Sequence, residues 1–256
     1  PPAYECLNAD SPARAVLICD HASNRVPAVL NDLGLDHQAR NRHIAWDMGA
    51  GKMTRFLARY LNVPAVLAGY SRLVMDLNRL PDTPDAYPEV SDFTVIPGNQ
   101  GLSQEDRDLR RRSLFEPYHG AIERQLDQVR ARGERPALVA IHSYTQELLA
   151  GGGQRPWHIG VLYEKDPRIA RGLLKALSMS TDVQAGDNQP YSGAHEHDYS
   201  VDTHGEAAGI ACCGIEVRQD LLATAQSFHY WATILGDALA ETLADERIYA
   251  PPTSEA

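Results

Sequence analysis

The chain has 256 residues, 43% of them hydrophobic and 23% charged, with a formal net charge of −10. That is globular composition. A nucleic-acid footprint would need a basic surface, and no apolar run reaches the roughly 18 residues of a membrane span, so neither partner is expected. Cys6, Cys19, Cys212 and Cys213 show no CxxC spacing and read as small buried residues of a reducing compartment. The opening PPAYECLNAD has neither the basic nor the apolar region of a signal peptide, and a cytoplasmic location is expected.

Along the chain, ARAVLICD (13–20) is a short apolar run with β-branched members and reads as a buried strand. Residues 37–61 show helical spacing (Ile44, Met48, Met53, Phe56, Leu57, Leu61), interrupted by Gly49 and Gly51. VPAVLAG (63–69) is a second strand, and SRLVMDLNR (71–79) a third or a loop that enters one. Residues 81–101 hold four prolines and two glycines and form a long irregular loop, a feature usually functional or mobile inside a compact domain. Residues 103–133 open with a Ser cap and an acidic first turn, predicting a long helix bent near Pro117. PALVAIHSYT (136–145) and WHIGVLYE (157–164) are strands, and DPRIARGLLKALS (166–178) is a helix with Pro at its first turn. Residues 187–209 are polar, histidine-rich and aperiodic. A strand (210–222) and an amphipathic helix (223–245) close the pattern. Strands alternate with helices throughout, which predicts an α/β sandwich with a mostly parallel or mixed sheet covered on both faces. One domain (1–249) is expected, with a flexible tail over 250–256.

Ligands of open α/β sheets gather beyond the carboxyl ends of the strands. There this sequence sets Asp20, His21 and Asn24, then Arg72, Asp76, Asn78 and Arg79, then His142 and Ser143, then Glu216, Arg218 and Asp220. Two histidines, a glutamate and several arginines on one edge suit metal-assisted hydrolysis. Catalytic zinc takes three protein ligands and an open position. It lowers the pKa of water toward about 7, a carboxylate off the metal moves the proton, and arginine forks onto a substrate carboxylate. Each residue also has a plainer reading. A histidine after a strand is often only a polar strand end, Glu216 could cap a helix, and Arg72 and Arg79 could be surface charges. His195 and His197 in AHEHD (194–198) resemble a metal site but are more often solvated at that spacing. His204, in THGEAAG, could bond a carbonyl oxygen or an oxyanion. Ser23, Ser143 and Ser192 lack the GxSxG elbow of a serine nucleophile, and GAGK (49–52) lacks the spacing of a phosphate loop.

Taken in order, DHASNRVP, RHIAWDMGA, SRLVMDLNR, IHSY, THGEAAG and IEVRQDL resemble the N-formylglutamate amidohydrolase family over residues 20–221. The resemblance implies a three-layer α/β/α phosphorylase/hydrolase-like sandwich, similar to zinc carboxypeptidases and aspartoacylases. It further implies one Zn(2+) per chain and cleavage of the carbon–nitrogen bond of a small N-acyl amino acid. Carried over, His21 and His142 are metal ligands. The carboxypeptidase pattern has a glutamate where this chain has Asn24, and an amide oxygen is a poor zinc ligand, so Asp47 is the candidate third ligand. Glu216 matches the general base and acid, Arg72 or His204 would face the oxyanion, Asn78 and Arg79 would hold the α-carboxylate, and Arg218 a second acidic group. A zinc peptidase of small or cell-wall peptides and a catalytically silent ligand-binding relative are the alternatives. The sequence leaves the oligomeric state open.

Overall fold

A computed structural model gives the fold and describes residues 2–146, 155–194 and 198–251. His195 and His197, and residues 252–256 of the expected tail, lie outside the described residues. Seven strands make the main sheet: β1 (Tyr4–Leu7), β2 (Ala15–Cys19), β3 (Ala65–Ala68), β6 (Ala137–Tyr144), β7 (Ile159–Leu162), β8 (Ala185–Asp187) and β9 (Ala211–Arg218). Strands β4 (Val90–Ser91) and β5 (Thr94–Val95) form a separate hairpin. The spatial order is β1-β3-β2-β6-β9-β7-β8. Strands β3, β2, β6 and β9 run parallel, while β1 and β7 pair antiparallel to their neighbours β3 and β9.

The four parallel strands are buried on both sides, as their unbroken apolar runs require. Successive side chains face opposite sides of a sheet, so the runs divide between two layers. Leu17, Cys19, Val139, Ile141, Cys213 and Ile215 pack on one side, against α2 (Ala50–Leu61), α5 (Arg168–Ser178) and α6 (Ala225–Leu243). Val16, Ile18, Leu138, Ala140 and Cys212 pack on the other, against α4 (Glu116–Ala131) and the chain from 70 to 99. This is the three-layer α/β/α sandwich expected from the alternation of elements. None of the described helices is long and apolar enough to cross a membrane.

Some local expectations are corrected. The helix expected over 37–61 divides into α1 (His37–Arg40) and α2, with irregular chain between them. Gly49 has φ +87°, a left-handed turn that glycine tolerates best, and it starts α2. Segment 71–79 is a series of turns, held because Leu73, Val74, Met75 and Leu77 are buried in the second layer. The long helix is interrupted by a π-helical turn at Arg111–Phe115 between α3 (Gln104–Arg110) and α4, just ahead of Pro117, which has no N–H to donate. The edge strands β1 and β8 were not expected, because YECL and AGD carry no buried run.

Leu17 is fully buried in β2 between two parallel neighbours. Leu17→Ala is expected to lower the unfolding free energy by about 3–5 kcal/mol, read from urea unfolding. A loss under about 1 kcal/mol would contradict this account of the core.

Candidate active site

Strands β6 and β9 pair in register, with His142 opposite Glu216 and, two residues earlier, Ala140 opposite Gly214. By alternation these four face the α4 side of the sheet. Ala140 and Gly214 are too small to fill the space below His142 and Glu216, and both pairs line a cavity of about 350 Å³. Strand β2 ends beside them, and the next residues, Asp20 and His21, are buried.

Asp47 reaches the same place from a loop. Its backbone N–H donates to the His21 carbonyl at 3.0 Å, and its own carbonyl accepts from Ala50 at the start of α2. Gly51 allows the close approach, because a Cβ there would lie 2.7 Å from the Ala22 carbonyl oxygen. The glycines that interrupt the helical pattern are thus the residues that let Asp47 meet the end of β2.

One carboxylate oxygen organises the centre. Asp47 Oδ2 lies 2.9 Å from His142 Nδ1 and 3.3 Å from His21 Nδ1. The two rings stand edge to face with centroids 5.0 Å apart. Each ring's far nitrogen meets another buried aspartate: His21 Nε2 is 2.7 Å from Asp76 Oδ1, and His142 Nε2 is 3.2 Å from Asp20 Oδ2. The second contact is close enough for charge attraction but off the line of a hydrogen bond. Asp20 Oδ1 accepts from Tyr118 Oη (2.9 Å) and Ser200 Oγ (2.6 Å). Asp76 is gripped by Arg72, whose Nε and Nη2 lie 2.9 and 2.7 Å from Oδ2.

These contacts decide the charges. Burial would push the Asp20 carboxyl up, but His142, His21 and Ser200 hold it at about 2. Asp47 and Asp76 are likewise buried, yet their histidines, with Arg72 at Asp76, keep both far below the usual carboxylate range. Burial opposes charge on the rings too. The aspartates outweigh it, raising His142 well above the ordinary imidazole value and raising His21 despite the added repulsion of Arg72. Glu216 is the exception. Its Oε2 is buried without a hydrogen-bond partner among the described residues, and burial pushes the carboxyl up to about 7, His142 working against the shift and Asp47 with it.

His21, Asp47 and His142 could hold a metal ion: one ligand atom from each lies within 4.8 Å of the others. The donor chemistry fits. Two imidazole nitrogens and a carboxylate oxygen are the ligand types of catalytic divalent cations. Both rings turn Nδ1 toward Asp47 and give Nε2 to an aspartate, the carboxylate–histidine arrangement that orients metal-binding imidazoles. Asn24 stays out of this cluster, donating to Asn41 Oδ1 on an exposed patch.

Arg72, Asn78 and Arg79 line the cavity. Asn78 Oδ1 accepts from the Tyr199 and Ser200 N–H groups, and Arg79 pairs with Asp198. Two expected residues do not reach it. Arg218 follows Glu216 by two residues, but its guanidinium is tied to Asp220 and to the Pro156 carbonyl, away from the cavity lining. His204 is buried against His119 and Glu123, also off the lining. The sequence reading assigned no part to His43, Tyr191 or Gln219, which do line the cavity. Loop positions 43 and 191 carry no periodic signal, whereas Gln219 could have been found in IEVRQDL, three residues after Glu216.

A family model described as N-formylglutamate amidohydrolase matches residues 13–223, a span that holds every residue lining the cavity. An N-formylglutamate deformylase of Pseudomonas putida is 29% identical over 152 residues, which cover 54% of this chain and 57% of the relative, so the match spans little more than half of that protein. Among solved structures, a gene product of Agrobacterium tumefaciens is 30% identical, with a TM-score of 0.88 over 95% of this chain and 96% of that one. An N-formylglutamate amidohydrolase from Ralstonia eutropha, 17% identical, shares the fold with a TM-score of 0.72 over 97% and 98% of the two chains.

The raised carboxyl of Glu216 has a consequence for stability. In the unfolded chain a glutamate titrates near 4.3, so between about pH 4 and pH 7 the fold retains a proton that the unfolded chain has lost. Stability therefore falls as pH rises through that window, and above it the penalty is on the order of 3 kcal/mol. Glu216→Gln is expected to raise the melting temperature of chelator-treated protein at pH 8 and to change it little at pH 4. An unchanged or lower melting temperature at pH 8 would contradict the assigned burial cost.

Proposed function

The chain belongs to the N-formylglutamate amidohydrolase family, and on that premise we propose that it is a metal-dependent amidohydrolase. The bond cleaved is the carbon–nitrogen bond of an N-acyl amino acid, with N-formyl-L-glutamate the reference substrate and zinc the expected cation, one per chain. The observation that carries this reading is the buried Glu216 Oε2, without a hydrogen-bond partner among the described residues, in one cavity with His21, Asp47 and His142.

His21, Asp47 and His142 would hold the cation, and Asp76 and Asp20 fix the two rings. When bound, such a cation supplies Lewis acidity, polarising the amide carbonyl and making water acidic enough to lose a proton near neutral pH. Glu216 takes that proton on its free Oε2 and returns it to the leaving nitrogen, a role that suits a carboxyl pushed up to about 7. Arg72, anchored by Asp76 and with Nη1 3.6 Å from Asp47 Oδ1, lines the cavity where its charge would face the oxyanion that forms on the acyl carbon. Asn78 holds the α-carboxylate through its amide N–H₂, its Oδ1 being occupied by backbone donors. Arg79 adds a positive charge beside it. The cavity volume, near the low end for ligand sites, favours a small N-acyl amino acid over an extended peptide. The silent-relative reading rested on Asn24, and Asp47 supplies the carboxylate missing there.

A panel of N-formyl and N-acetyl amino acids, assayed with and without chelator, tests this reading. Hydrolysis that is lost with chelator and restored by zinc is expected. Glu216→Gln should lower kcat by about 10²–10⁴-fold at unchanged metal content, whereas His142→Ala should lose the metal. Full activity in chelator, or in Glu216→Gln, would overturn the proposal.

A further inference from the structure

Behind the cavity, on the α4 side, lies a buried chain of hydrogen-bonding groups outside the mechanism above. His119 Nε2 lies 2.9 Å from the Leu77 carbonyl oxygen. His119 Nδ1 lies 2.9 Å from His204 Nε2, and His204 Nδ1 bonds to Glu123 Oε1. Both rings are buried, packed among Phe115, Tyr118 and Tyr199, while the Glu123 side chain is 45% exposed and has Arg130 3.5 Å from its other oxygen.

The protons in this chain can be counted. A carbonyl oxygen only accepts, so His119 Nε2 carries a hydrogen. One hydrogen joins the two rings, and one joins His204 Nδ1 to the Glu123 carboxyl. Two neutral imidazoles and a carboxylate supply only two hydrogens for these three bonds, so the chain closes with one proton more. Burial and the neighbouring His204 hold His119 down at about 4, with Asp20 partly opposing, so the extra proton is not on His119. That leaves the third hydrogen in the bond between His204 Nδ1 and Glu123 Oε1.

We propose that Glu123, His204 and His119 are positioning residues: a proton-loaded relay that runs from the protein surface to the Leu77 carbonyl and sets the backbone from which Asn78 and Arg79 enter the cavity. The inference rests on the reading of that cavity as an N-acyl amino acid site. The segment is held on its other side by Asp76, whose Oδ1 accepts from both the Asn78 N–H and His21 Nε2. Loosening the relay would therefore weaken the grip on substrate and leave the groups that break the bond in place. The relay also accounts for a histidine that the sequence singles out in THGEAAG and that the cavity does not use.

The test combines kinetics with ¹⁵N NMR of histidine-labelled protein at pH 7.5, the His204 signals being assigned by their loss in His204→Gln. Wild-type protein should show both His204 ring nitrogens protonated. Glu123→Ala removes the acceptor, and KM for the best N-formyl amino acid should rise about tenfold, the scale of one hydrogen bond to a charged group, with kcat within twofold and metal content unchanged. His119→Phe should do the same, because it releases the Leu77 carbonyl directly. Glu123→Gln should restore KM, since an amide N–H can donate to a neutral His204 Nδ1 and close the chain without the extra proton, and the spectrum should then show a single protonated His204 nitrogen. A wild-type His204 with one protonated nitrogen, a KM unchanged in Glu123→Ala, or a loss confined to kcat would overturn the relay. If no N-acyl amino acid is turned over, the functional reading fails, and the spectra of wild type and Glu123→Gln still decide the proton count.

Discussion

The site depends on Asp47 Oδ2 facing two imidazole nitrogens in a buried cluster. A buried carboxylate is costly unless it is paired and hydrogen-bonded, and here it meets both. The pairing fixes more than charge. Because both rings turn Nδ1 to the shared oxygen, both must turn Nε2 outward, and Asp76 and Asp20 wait at those positions. The arrangement fixes ring orientation through protein contacts alone. Preorganisation of this kind makes an electrostatic site effective, because no group has to move and no solvent has to reorient as charge develops.

The fold supplies that geometry through strand alternation. His142 and Glu216 sit at the same level of two paired parallel strands and on the same face, so their spacing follows from the sheet. Two residues earlier the same face carries Ala140 and Gly214, which makes the cavity a consequence of small residues below large polar ones. Asp47 and Asp76 arrive on loops, and each loop is tied to the strand-end residue it serves. Asp47 is bound to His21 through its backbone, and Asp76 is bound to His21 and Arg72 through its side chain. Among the described residues, Glu216 Oε2 is left without a hydrogen-bond partner. A fold keeps such a cost where the unpaired group has work to do with a ligand.

Much of this was legible in the chain. Unbroken apolar runs identified the central strands, and the polar residues just past them identified the cavity wall. His21, His142 and Glu216 could be named because each follows or ends such a run. Asp47 came from the family resemblance and from its place before a helix start. Other features depended on backbone direction that residue order does not give. Arg218 stands two residues after Glu216 and so shares its parity, yet Asp220 and the Pro156 carbonyl hold it at the strand end outside the cavity. His204 lies in a π-helical turn, Asp202–Glu206, that turns it toward α4 instead of the cavity. Segment 71–79 is as apolar as a strand, but its burial comes from lying over the sheet as turns. The aspartates behind the histidines were readable in hindsight. Both stand among the polar strand-end residues of the sequence, but the pairing of Asp76 with His21, 55 residues away, depends on the fold.

The most direct measurement of the central claim is the ligand set of the cation itself, read by anomalous diffraction at a metal absorption edge from crystals of the metal-loaded protein. The account requires one ion held by the Nδ1 atoms of residues 21 and 142 and a carboxylate oxygen of residue 47, with the residue 216 carboxylate close by but not bound. An ion coordinated through the Nε2 atoms, or seated elsewhere on the chain, would contradict it.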